Sequence, residues 1–167
     1  PVSVGAGTYM SSRNRFRSMS LRERTEAALW SRHSNPKSGW TRVPTGPVLV
    51  YALYRRSWRL LLAALVWTVL NPVLFGPPET EDAWMTRAVL AEQWWIREEE
   101  RSTVGLDYPN VCNAVGALGF CYALYAAYRQ RPVGAAVGTV ASIGLKFWWL
   151  RVLVGRYDAA TEAAERR

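Results

Sequence analysis

Twenty consecutive residues without a charge, Pro109 to Tyr128, are followed after Arg129-Gln130-Arg131 by a second apolar run, Pro132 to Val154. A helix needs about 20 apolar residues to cross a hydrocarbon core of about 30 Å. A hydrated chain has little use for two such runs in tandem. The stretch Leu60 to Phe75 adds sixteen residues and reaches span length once Trp58 is taken as an interfacial anchor. The expected fold is therefore all-α and polytopic, with spans near 57–76, 109–128 and 132–154. Val43 to Tyr54, at twelve residues, is too short to cross alone and is expected as a re-entrant or interfacial segment. If it did cross, the parity would change and the C-terminus would return to the side of the N-terminus.

The mean hydropathy of −0.09 conceals this pattern because it averages a polar front third and an acidic middle segment with the apolar runs. Residues 1–42 carry eight Lys/Arg against Glu23 and Glu26, whereas residues 76–108 carry eight acids against Arg87, Arg97 and Arg101. A basic flank beside an apolar run orients a membrane chain with that flank in the cytoplasm, so a multi-pass protein of the cell membrane with a cytoplasmic N-terminus is expected. A basic arm for nucleic acid would need accompanying stacking motifs, and none is present. The expected partners are the lipid bilayer and a membrane partner protein or a second copy of the chain.

Residues 1–19 lack periodicity and read as a disordered extension without the apolar core of a signal peptide. Met19, just before a Ser20-x-x-Glu23 capping box, is the expected functional start. Residues 20–158 form one helical membrane domain and 159–167 a polar tail, with Gly155 as the expected stop of the last helix. Within 33–42, Asn35-Pro36 and Ser38-Gly39 read as a turn. In the acidic segment, Glu81 to Arg97 has helical spacing, with Trp84, Met85, Ala88, Val89, Trp95 and Ile96 on one face.

Small residues recur at Cys112, Gly116, Gly119, Ala123 and Ala127, and again at Gly134 and Gly138. Such stripes let helix backbones approach closely where lipid supplies no hydrophobic drive between helices. Cys112 and Cys121 lie about 13 Å apart on a helix and cannot bridge.

The ionisable residues inside apolar surroundings carry the functional question. Lys146 shares a helical face with Ala135, Thr139 and Ser142, so it need not face lipid. Three roles fit it: a lysine snorkelling from an aromatic belt of Phe147, Trp148 and Trp149, a partner of Glu92, or the centre of a site. Glu92 falls in the middle of an apolar helix face and requires a cation. His33 and Asn71 complete a candidate polar centre, although His33 among turn residues also suits an ordinary loop hydrogen bond. No nucleophile-plus-base set, phosphate loop or metal-ligand cluster is present, so no cofactor or metal is expected. Two functional classes follow: a non-catalytic membrane module that binds a partner protein or lipid, and a small membrane enzyme or carrier built on the polar centre.

Three blocks, His33-Ser-Asn-Pro-Lys-Ser-Gly-Trp-Thr-Arg42, Asn71-Pro-Val-Leu-Phe75 with Pro77-Pro78 and Asp82-Ala-Trp84, and Gly144-Leu-Lys-Phe-Trp148 with Tyr157-Asp158, resemble a family of small prokaryotic integral membrane proteins of unknown function. The resemblance covers about Trp30 to Asp158. It implies that Glu92 and Lys146 match family residues, while Arg151 stands where an acidic residue is usual. It implies a membrane protein and no particular reaction.

Overall fold

A computed structural model describes residues 20–166, and the expectations for residues 1–19, the extension and the start at Met19, lie outside that range. The described chain contains seven helices and no strand. They are α1 (Leu21–His33), α2 (Pro36–Arg42), α3 (Thr45–Tyr54), α4 (Trp58–Leu74), α5 (Trp84–Arg97), α6 (Asn110–Tyr128) and α7 (Pro132–Glu165).

Two helical hairpins organise the chain. The α3–α4 turn and the α6–α7 turn close in the same way. Ser57 N–H reaches back to the Ala52 carbonyl and Arg131 N–H to the Ala126 carbonyl, with Arg56 and Gln130 at positive φ. These are six-to-one C-terminal caps that satisfy helix-end carbonyls. The two turns lie side by side, because the Gln130 amide donates to the Tyr54 carbonyl at 2.6 Å. Arg55, Arg56, Arg59, Arg129 and Arg131 gather at this end. The short α3 is thus a full partner of α4, running antiparallel to it from the opposite end of the bundle.

The α6–α7 hairpin is the tightest contact, and its small residues are at the crossing. A Cβ added to Gly138 would lie 2.8 Å from the Gly119 carbonyl oxygen and 3.0 Å from Ala123 Cβ. Gly116 faces Leu145 and the Ser142 carbonyl, while Gly134 faces Tyr122 and Ala126. Ala123 and Ala127 are buried with Ala126, Ala135 and Val50, which joins α3 to the same seam. Cys112 packs partly buried at the edge of the other apolar cluster, and both cysteines are free.

That other cluster joins α5 to the second half of α7: Ala88, Ala91 and Trp95 against Trp149, Leu150, Leu153 and Val154. Trp95 and Trp149 are essentially fully buried, and truncating either to alanine would cost on the order of 3–5 kcal/mol. Ion pairs reinforce this end, with Arg87 of α5 on Asp158 of α7 and Arg97 on Glu26 of α1 at 2.5 Å. The helices α1, α2 and α5 and the end of α7 therefore form a cap opposite the arginine-rich turns.

Among the described residues, two helices are long and apolar enough to cross a membrane, α6 and α7. Only 22% and 28% of their most apolar windows are buried within the protein, so most of that surface faces outward. The helix α4 is apolar but has 17 residues, and it exposes Leu62, Val69 and Leu74.

Several expectations are corrected. Residues 36–42 form a helix, not a turn. Asn35 is extended (ψ 127°), as a residue before proline should be, and its side chain accepts from Lys37 N–H as an N-cap, with Pro36 at the first helical position. The same two residues that signal a turn also start a helix. Gly155 does not stop α7, which runs 34 residues, about 51 Å. Alanine and glutamate carry it on after Gly155, and the Arg87–Asp158 pair anchors the continuation. The tail after residue 158 is helical up to Glu165. The helix α5 begins at Trp84 rather than Glu81, and Ile96 lies outside its buried face.

Candidate functional site: a cationic cavity beneath the cap

The block from Arg32 to Arg42 is bonded to the second half of α4 and the residues just after it through Arg32, Asn35, Ser38 and Thr41. Arg32 Nη1 donates to the Val73 carbonyl at 3.1 Å and Asn35 Nδ2 to the Gly76 carbonyl at 3.0 Å. A guanidinium at this position also complements the negative end of the helix dipole. Deeper in, Ser38 Oγ donates to Asn71 Oδ1 at 2.7 Å, and Asn71 Nδ2 donates to Thr41 Oγ1 at 2.8 Å. Trp67 Nε1 donates to the Thr41 carbonyl at 3.3 Å. Ser38 and Thr41, three residues apart, share a face only because α2 is helical. Gly39 is required beside them, since a Cβ there would lie 2.1 Å from Met85 Cγ. These contacts seat α2 between α4 and α5 and aim Arg42 inward.

Arg42, His33, Glu92 and Lys146 line one cavity of about 430 Å³, walled by apolar side chains that include Val43, Val89, Phe120 and Leu150. Arg42 Nη1 contacts both ring nitrogens of His33, Nε2 at 2.7 Å, and Nη2 donates to the His33 main-chain oxygen at 3.3 Å. The His33 ring is also held edge-on by Trp30. Burial first, then the positive charges of Arg42 and Lys146, lower the His33 pKa to about 4, so the imidazole is neutral at pH 7. Burial also lowers the pKa of Arg42, against an opposing influence of Glu92. Lys146 Nζ lies 3.5 Å from Glu92 Oε1 and 4.1 Å from the centre of the Trp149 ring. Trp149 is in turn fixed by its Nε1 donating to Asn110 Oδ1 at 3.2 Å.

Three of the four residues expected in a polar centre, Lys146, Glu92 and His33, thus meet at one cavity. Asn71 does not line it. It is the buried post to which α2 is bonded, so it acts on the site only by position. Of the roles open to Lys146, its ammonium sits at the Glu92 carboxylate and on the cavity wall. Arg42 joins them, and the sequence alone does not point to it, because a turn at residues 36–42 would leave it in solvent. The signal was available in Ser38, Thr41 and Arg42, which align once the segment is read as a helix. No group of three or more His, Cys, Asp or Glu among the described residues is arranged to hold a metal ion.

The arrangement has spare donor capacity. A guanidinium carries five N–H donors and an ammonium three. The hydrogen bonds of Arg42 all go to His33, and that of Lys146 goes to Glu92. With His33 neutral, Arg42 and Lys146 against Glu92 leave a net positive cavity. The one histidine has its ring turned to a guanidinium, and the Thr139 hydroxyl in the wall is spent on the Ala135 carbonyl at 2.7 Å. Neither is poised as a base or a nucleophile.

Fold and site together define an all-helical protein of two hairpins under a helical cap, with a cation-lined cavity between them. The chain belongs to DUF6653, a family of unknown function, whose model matches residues 18–167. No curated protein and no solved structure matches it.

Proposed function

We propose that this chain is an integral membrane protein that binds an anionic, oxygen-rich group, a phosphate or a carboxylate, in the cavity beneath its cap, as a binding module rather than a catalyst. The spare donors of Arg42 and Lys146 carry this reading: two cations and one carboxylate line an apolar-walled cavity, leaving net positive charge and N–H donors open to a further acceptor. Occupied His33 and Thr139 side chains argue against chemistry at the same place.

The outward apolar surfaces of α4, α6 and α7 support the membrane reading. With α3 counted as a passage beside α4, residues 20–42, the acidic segment and the end of α7 fall on one side. The eight Lys/Arg of residues 1–42 outnumber the five arginines of the two turns and favour that side as cytoplasmic. Single cysteines at Asp107, Thr161 and Gln130, in a Cys112→Ala, Cys121→Ala background, test it. A membrane-impermeant thiol reagent should label Gln130→Cys from outside intact cells and the first two only from the cytoplasmic face, whereas three passages without α3 would give the reverse. Labelling of Asp107→Cys and Thr161→Cys from opposite faces overturns the arrangement.

The binding reading is tested on the full chain in neutral detergent, by titrating inorganic phosphate and acetate and following thermal unfolding. Saturable stabilisation that is lost in Arg42→Gln and Lys146→Met, and kept in the exposed variant Arg151→Gln, is expected. An unchanged midpoint in the native protein, or equal stabilisation in all variants, overturns it.

A further inference from the structure

We infer that the ligand of this cavity is a long-chain anionic amphiphile, its head group at Arg42 and Lys146 and its chain laid in the groove between α3 and α7. The inference rests on the anion-binding reading above and names the class of ligand within it. A second hollow of about 470 Å³ adjoins the first and shares Pro47, Thr139 and Ile143 with it. From the shared wall it runs toward the arginine-rich turns, reaching Tyr54 and Pro132. Pro132 to Ile143 is eleven residues along α7, so the groove is about 16 Å long. Its remaining walls are Val50, Tyr51, Ala135, Ala136 and Val140, and no charged side chain lines it.

The charge of the two hollows is complementary to one kind of molecule. The Arg, Lys, Glu and His side chains that line the hollows all stand at one end, beside a length of apolar wall that a small anion would not contact. A free phosphate or acetate would satisfy the cations and nothing in the groove. An amphiphile satisfies both, its head group on the cations and its chain along the groove. The groove is also open sideways: Tyr51 and Val140 are 56% and 71% exposed on its two lips. A chain can therefore enter from the bilayer while its head group slides to the cations. Small side chains on α7, Ala135 and Ala136, keep the floor low enough to admit it.

The test compares dodecyl phosphate and laurate with inorganic phosphate and acetate on the full chain in nanodiscs of zwitterionic lipid, reading tryptophan fluorescence, since Trp149 touches Lys146. The long-chain probes should bind at least about ten-fold more tightly than the free anions. Ala136→Phe, which fills the groove from an exposed position, should abolish this advantage and leave the free anions bound as before. Equal affinity of long and short probes, or an advantage that survives Ala136→Phe, overturns the groove inference and leaves the anion site standing. Failure of all four probes to bind overturns the anion site itself.

Discussion

Ser38 and Asn71, thirty-three residues apart, are joined by a 2.7 Å hydrogen bond between fully buried side chains, and the same asparagine continues to Thr41. That bond fixes where α2 sits on α4, and therefore where Arg42 enters the cavity. A buried polar group stripped of its partner costs about 1–3 kcal/mol. Asn71→Leu leaves the buried Ser38 hydroxyl without its partner, while Thr41 keeps its bonds to the Lys37 and Ser38 carbonyls, and unfolding in detergent should become easier by about 1–3 kcal/mol, with phosphate binding weakened alongside. Ser38→Ala, which leaves Asn71 its bond to Thr41, should cost about 1 kcal/mol. A double-mutant cycle between positions 38 and 71 that returned no coupling energy would show that the pair does not hold α2.

Gly39 reports the same geometry from the α5 side. An added methyl would meet Met85 Cγ at 2.1 Å and Sδ at 2.8 Å, and Met85 is itself buried. Overpacking of this kind typically costs about 1–3 kcal/mol. Gly39→Ala should lower the thermal midpoint, and Met85→Ala in the same chain should recover part of the loss, because it vacates the space the methyl needs. A Gly39→Ala protein as stable as the parent would mean that α2 and α5 are further apart than described.

The glycines of α7 separate cleanly into two kinds. At Gly138 a Cβ would lie 2.8 Å from backbone oxygen of α6, which cannot rotate away. At Gly155 an added Cβ meets nothing within 4 Å. Gly138→Ala should therefore destabilise the hairpin by about 1–3 kcal/mol. Gly155→Ala should stabilise by about 0.5–1 kcal/mol, since alanine loses less backbone freedom in a helix. Thermal unfolding of the two variants side by side checks both signs, and opposite signs are the required outcome.

These glycines also mark how far the sequence could be read. The α6–α7 pair was legible because an uncharged run of span length and a stripe of small residues say the same thing. The end of α7 was not, because a glycine inside a helix carries the same letter as a glycine after one, and only the Arg87–Asp158 contact tells them apart. The α2 helix is hidden in the sequence because Asn-Pro is ambiguous between turn and helix start, and the tertiary bonds of Ser38 and Thr41 to Asn71 resolve it. Lys146, Glu92 and His33 stood out as ionisable or titratable groups in unusual surroundings. Arg42 did not, since its inward direction depends on α2 being helical.

His33 gives the site a pH signature. Its pKa in the folded protein is about 4, against 6.5 for an ordinary histidine, because burial and the facing Arg42 and Lys146 disfavour the imidazolium. Between those values the unfolded chain binds a proton that the folded chain does not. Linkage then requires stability to fall as pH drops from about 6.5 toward 4, with no further loss from this group below the folded value. At neutral pH both states are unprotonated and the contribution is complete. His33→Gln removes the titration while keeping an acceptor for Arg42, so its thermal midpoint should change less over pH 4–6.5 than that of the parent. Parallel midpoint-versus-pH curves for the two proteins would mean that His33 titrates in the fold as it does in the unfolded chain, and that the guanidinium does not face it.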